Sequence, residues 1–337
     1  MDLHSPAGKV AQMLTGYWVS QMIYVAAKLD LAGLLREGPR TADDLAQATG
    51  MHARSLYRLL RGLAGLGIFA ETTPRTFTMT PLSEALLDGV PGSQRAMAIM
   101  TGEEHYVSWS ELLYCVKTGK TGFEKIYHKL PFDYLAEHPE QAANFDAAMT
   151  SVHGQETPAM LAAYDFSAIK VLADVGGGNG SLISATLQKH AQLKGILYDL
   201  PHVIERSKNN LAAAGLAERC QCIPGSFFEQ IPTGADAYLM RHIIHDWDDS
   251  ESITILKNVR KAMGDNSSAR LLVLESVIPP GNDPMFGKLL DLNMLVIPGG
   301  LERTESEYRA LFAAAGFRLN RIVPTTTEVS VIEGMPV

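Results

Sequence analysis

The stretch that decides the fold is Val171-Leu172-Ala173-Asp174-Val175-Gly176-Gly177-Gly178-Asn179-Gly180-Ser181. An apolar run of strand type enters a glycine-dense turn, and a helix is expected to open at about Ser181. Glycines in such a turn let backbone approach a ligand closely. The nicotinamide fingerprint G-x-G-x-x-G would need glycine at 181, where the chain has serine. The spacing is instead D-x-G-x-G-x-G, carried by Asp174, Gly176, Gly178 and Gly180.

Downstream, apolar runs alternate with helical stretches, the pattern of a parallel α/β sheet. Gly195–Pro201 reads as a second strand ending in Asp199, 19 residues beyond Gly180 (199 − 180). An acid at that place can accept hydrogen bonds from both hydroxyls of a ribose. Cys220–Ile223 reads as a third strand, leading into Pro224-Gly225-Ser226-Phe227-Phe228. A fourth is expected over 236–244, followed by His245-Asp246-Trp247-Asp248-Asp249. His245 then falls past the carboxyl end of the sheet, where doubly wound folds place their chemistry, and its side chain can remove a proton near neutral pH. Strand alternation would send His242 to the other face in a structural role. Asp248 and Asp249 suit the cap of a helix over Ser250–Met263; no metal is expected among these carboxylates. A catalytic histidine needs an acid to fix its tautomer. Glu275, closing the apolar strand Leu271–Leu274, and Glu302, after Gly299-Gly300-Leu301, are the two candidates.

Upstream of the glycine turn the chain is helical. Gln12–Leu35 carries apolar residues at helical spacing, Thr41 reads as an N-cap with Asp44 three residues on, and Ala53–Leu66 puts five leucines on one face. Two short strands around Thr73-Pro74-Arg75 complete a winged-helix pattern. Arg54, Arg58 and Arg61 on the second helix raise nucleic-acid binding as an alternative, against which the net charge of -8 weighs. The 337 residues suit two domains and an appendage. The expected division is a winged-helix-like domain over residues 1–100, a helical pocket region over 101–165, and a Rossmann-like α/β domain over 166–337. Three cysteines make no disulfide framework, which suggests a reducing, cytoplasmic setting. No apolar run reaches the ~18 residues of a membrane span, and the first residues lack a signal-peptide pattern.

Together the Asp-Val-Gly-Gly-Gly-Asn-Gly loop, Tyr-Asp-Leu-Pro, Pro-Gly-Ser-Phe-Phe, Arg-His-Ile-Ile-His-Asp-Trp-Asp-Asp and Gly-Gly-Leu-Glu-Arg-Thr, in that order, resemble the cation-independent small-molecule O-methyltransferases. These include the plant caffeic acid and flavonoid types and the bacterial natural-product-tailoring types. The resemblance is strong over 170–325 and looser upstream, where the family has its dimerisation domain. It implies a class I fold, S-adenosyl-L-methionine as cofactor with S-adenosyl-L-homocysteine as product, and a homodimer formed through the N-terminal domain. It implies that Asp174, Gly176, Gly178, Asp199, Leu200, Gly225, Ser226, Phe227, Arg241 and Trp247 serve the cofactor. Met149, Asp246, Asn293 and Met294 would serve the acceptor, and His245 would be the general base between Glu275 and Glu302. Many relatives have Asp where this chain has Ser226. The expected reaction is methyl transfer to a hydroxyl, phenolic by preference, of an aromatic secondary metabolite, with neither nucleic acid nor membrane as partner. A non-methylating or C- or N-methylating member of the fold is the alternative, and a winged-helix regulator a more distant one.

Overall fold

The computed structural model describes Asp2 and residues 4–337. Its internal contacts divide into two units, residues 1–110 with 123–154, and residues 111–122 with 155–337.

The first unit is helical with a small antiparallel sheet of order β1-β3-β2, from β1 (Arg40–Thr41), β2 (Phe69–Thr73) and β3 (Thr76–Met79). Thr41 caps the helix Ala42–Thr49 by a full capping box with Asp44, and Gly50 ends it at φ +70°. Leu45, Leu56, Leu60, Leu63, Phe69 and Phe77 close this unit's core. The single helix expected over 12–35 is broken twice. Thr15 turns its hydroxyl back to the Ala11 carbonyl at 3.1 Å, and Asp30 takes φ +51°. Val10, Met13, Leu14, Tyr17 and Trp18 of the first two helices, Pro6–Leu14 and Gly16–Lys28, are exposed.

The second unit is built on one sheet. Its strands are β4 (Val171–Val175), β5 (Lys194–Asp199), β6 (Cys220–Pro224), β7 (Ala237–Arg241), β8 (Arg270–Ile278), β9 (Arg303–Thr304), β10 (Phe317–Pro324) and β11 (Val329–Pro336). The order is β10-β11-β8-β7-β4-β5-β6, with β9 beside β8. Strands β4 to β8 pair in parallel, and β10–β11 is an antiparallel hairpin on β8. The period of two sorts β4 between two cores, Ala173 and Val175 on one face and Leu172 on the other. Helices cover both faces, so the central strands carry apolar residues on both, with Asp174 and Glu275 as buried acids among them.

Sheet order reverses between β4 and β7, and a crevice opens at the carboxyl ends of strands flanking such a switch point. The glycine turn after β4 and the His245 segment after β7 both stand there. Strand β7 stops at Arg241, three residues short of the expected end. His242 has φ +51°, and the next three amides leave the ladder for a side chain, described below.

Candidate active site

Three alternate glycines of the turn, Gly176, Gly178 and Gly180, have φ of +72°, +58° and +78°. Only glycine adopts this left-handed backbone repeatedly without strain. A Cβ on Gly176 would strike Ile243, so the turn after β4 rests on the segment after β7. Asp199 closes β5 and ties the turn down, accepting from the Gly178 amide at 2.8 Å and the Leu200 amide at 2.7 Å. Burial raises its pKa against those two bonds. Asp174 is buried below the turn, where a Cβ on Gly177 would meet its carboxyl. Its Oδ2 has no hydrogen-bond partner among the described residues. Burial pushes Asp174 up to about 6, opposed by the nearby Arg241 guanidinium.

After β6, Gly225 packs on Tyr198, leaving no room for a Cβ. The Ser226 hydroxyl accepts from the Phe228 amide at 3.3 Å. Phe227 and Phe228 meet Trp247 edge-on, at ring-centroid distances of 6.0 and 4.7 Å. Trp247 therefore packs against the residues that follow β6.

His245 sits in a single 3₁₀ turn, Ile244–Asp246, and is buried. That turn is gripped from both polar sides. Glu275 Oε1 accepts from the amides of Ile243, Ile244 and His245 at 3.1, 2.7 and 3.2 Å, and its Oε2 accepts from the Tyr308 hydroxyl at 2.6 Å. The fully buried Arg303 donates to the carbonyls of Ile244 and Trp247 at 3.2 and 3.1 Å and to Asp249 Oδ1 at 2.9 Å. Leu301 N donates to the His245 carbonyl at 2.9 Å, and Gly300 packs so closely there that a side chain would strike it.

The two expected acids thus have different places. Glu302 Oε1 lies 2.7 Å from His245 Nδ1 and is itself buried. Glu275 bonds the backbone of the turn and the Tyr308 hydroxyl, so it holds the loop that carries the imidazole. Asp246 Oδ1 stands 3.5 Å from His245 Nε2. Burial alone would lower the pKa of His245, but Asp246, Glu302 and Glu275 together outweigh it and push it up to about 10. Asp246 is pushed up to about 6 by burial, against the pull of His245.

His242 does not go to the opposite face. With the strand ended and φ positive, its ring centroid lies 4.9 Å from that of His245. Asp248 does cap the following helix, Asp249–Met263, through the Glu251 amide at 2.9 Å, while Asp249 turns to Arg303. Asn293 and Met294 lie on the helix Phe286–Val296, whose Asp291 accepts from the Glu302 amide at 2.9 Å. Met149 belongs to the other unit, on the helix Pro139–Ala163. Arg303, Tyr308 and Glu156 were not read from the sequence. Arg303 stands next to Glu302, and a cation inside Gly-Gly-Leu-Glu-Arg-Thr was the available signal.

A doubly wound sheet with a glycine turn, an acid closing β5 and a buried histidine–carboxylate pair at its switch point is the architecture of the class I methyltransferases. Residues 109–318 match the model of the O-methyltransferase domain, and residues 11–89 that of the O-methyltransferase dimerisation domain. The chain belongs to this O-methyltransferase family and is an S-adenosylmethionine-dependent enzyme. It is 45% identical to a phenazine O-methyltransferase, PhzM, of Lysobacter antibioticus over 97% of this chain and 95% of that one. It is 37% identical to an 8-amino-8-demethylriboflavin N,N-dimethyltransferase of Streptomyces davaonensis, over 94% and 91%. The crystal structure of LaPhzM superposes with a TM-score of 0.94, at 44% identity over 99% and 100% of the chains. The O-methyltransferase NcsB1 from neocarzinostatin biosynthesis, solved with S-adenosylmethionine and 2-hydroxy-5-methyl naphthoic acid, gives 0.85 at 32% identity over 95% and 96%. Among the described residues no helix is long and apolar enough to cross a membrane.

The crevice fits S-adenosylmethionine by its own chemistry. An orphaned buried carboxylate oxygen on Asp174 suits a cationic amino group. The open turn of left-handed glycines suits a close-lying chain, and Asp199 suits a diol.

Proposed function

We propose that the chain methylates a phenolic hydroxyl of a planar aromatic natural product, with His245 as general base. The observation that carries this is the 2.7 Å bond from Glu302 to His245 Nδ1, inside a turn gripped by Glu275 and Arg303. Glu302 fixes the tautomer, leaving Nε2 to meet the acceptor, and stabilises the imidazolium that forms. Asp174, Gly176 and Gly178 hold the methionine part of the cofactor, Asp199 and Leu200 the ribose, and Gly225, Ser226 and Phe227 the adenine, with Arg241 and Trp247 adjoining. The cofactor supplies an electrophilic methyl group on a sulfonium. The chain's own work is to align the acceptor oxygen and take its proton. Asp246, Asn293, Met294 and Met149 are assigned to the acceptor. The exposed Met13, Leu14, Tyr17 and Trp18, in a segment matching a dimerisation domain, support a homodimer through the first unit.

Relatives acting on a phenazine and a naphthoate support a fused-ring acceptor. An N-methylating relative supports an aromatic amine as the second reading.

The pKa of His245 sets the pH test. A phenol ionises near about 10, matched to the imidazole. The reacting state holds one proton between acceptor oxygen and Nε2. Below both pKa values the pair holds two protons, so kcat/KM should rise about tenfold per pH unit up to the lower value. For a simple phenol the rise should continue to about 10, and a more acidic hydroxyl should bring the shoulder down to its own pKa. A rise that ignores the acidity of the acceptor would contradict the base role.

Asp199→Ala is expected to weaken S-adenosylmethionine binding by about tenfold or more, since about 1.5–3 kcal/mol attends hydrogen bonds to a charged group. Calorimetric titration measures it, and unchanged affinity would remove the ribose assignment.

A further inference from the structure

Beside the His245–Glu302 pair stands a second histidine–carboxylate pair, His242 with Glu156. Nε2 of His242 lies 2.9 and 3.0 Å from the two carboxylate oxygens of Glu156, on the helix Pro139–Ala163. Their side chains are only 12% and 10% exposed. An imidazole nitrogen that close to both oxygens carries the proton and donates it. The grip extends to the adjoining residues, because Arg241 donates to the Thr157 hydroxyl at 2.9 Å. Two consecutive residues of one helix thus hold two consecutive residues at the end of β7. The left-handed backbone of His242 is uncommon outside glycine and clusters at sites where surrounding contacts enforce it.

The grip sets the two imidazole rings 4.9 Å apart at an interplanar angle of 40°. Each ring has its own acid, Glu302 on His245 and Glu156 on His242. Asp246 belongs to the same cluster, 3.5 Å from His245 Nε2. The titratable and charged groups around His242 include Glu156 and His153 from the helix, Arg241 from β7, and His245 and Asp246 from the turn. His245 and Asp246 shift one another's proton affinity.

We propose that His242, clamped by Glu156, is a further positioning residue of the reaction, setting how the Asp246–His245 pair shares its proton before the acceptor arrives. This rests on the reading of His245 as the base. A proton held on His242 by Glu156 turns the field of that ring toward keeping Asp246 a carboxylate, the direction in which His242 acts on that acid. An ionised Asp246 in turn attracts the proton to His245 Nε2. Without His242, Asp246 takes up a proton at higher pH and stops supporting the imidazolium.

The test uses the full-length chain alone, labelled with ¹³C at histidine Cε1, with the His245 signal assigned by its loss in His245→Gln. In the native chain this signal should show an acid-side inflection near 6, the titration of its neighbour Asp246. In His242→Asn it should move up by about half a pH unit or more, roughly a threefold change in proton affinity. Asparagine tolerates the left-handed backbone, so the turn is retained. An unmoved inflection overturns the clamp's role even where His245→Ala abolishes turnover. Full turnover in His245→Ala removes the base reading whatever the titration gives.

Discussion

Replacing His245 by alanine is expected to lower kcat by about 10²–10⁴-fold, the usual contribution of a positioned general base. The affinity for S-adenosylmethionine should stay within about twofold, because the residues proposed to hold its methionine, ribose and adenine parts stand on the loops after β4, β5 and β6. The substitution removes the group that takes the acceptor proton and leaves the gripped turn intact, since Glu275 and Arg303 bind its backbone. Single-turnover kinetics with calorimetry separates the two effects. A variant within about threefold of the native rate would show that ionised acceptor alone suffices.

The largest effect on stability is expected from Arg303→Met. The guanidinium is completely buried and donates to two carbonyls of the turn, to Ser252 and to Asp249. Asp249 is 70% exposed, so the ion pair itself contributes little. The cost lies in the carbonyls of Ile244 and Trp247, which lose donors inside the protein. A loss of about 3 kcal/mol is expected, read as a lower urea midpoint at constant slope. Turnover should fall as well, because His245 lies between those carbonyls. A loss under about 1 kcal/mol would mean that water or neighbouring donors replace the guanidinium.

How much of this was legible beforehand follows from the range of each interaction. The glycine turn, the acid at the end of β5 and the caps at Thr41 and Asp248 act within a few residues, so spacing reveals them. Placing His245 at the sheet's carboxyl end needed only strand order. The division of labour between the glutamates was not readable. Glu275 and Glu302 are 30 and 57 residues from His245, and which acid meets ring and which meets backbone depends on how β8 and the Gly299–Leu301 segment close around the turn. The early end of β7 had the same origin, because Glu275 draws three amides out of the ladder. His242 was misplaced for that reason, since alternation holds only while a strand continues. Glu156, 86 residues away, had no local signal at all.

Methyl transfer to oxygen through His245 is tested by mass spectrometry of the purified chain incubated with S-adenosylmethionine and a panel of phenols, hydroxyphenazines and hydroxyquinones, beside matched aromatic amines. The expected product is heavier by one methylene unit with methyl on oxygen, accompanied by S-adenosylhomocysteine in equal amount, and both are lost in His245→Ala. Methyl appearing only on nitrogen, or product formed equally well by His245→Ala, would contradict it.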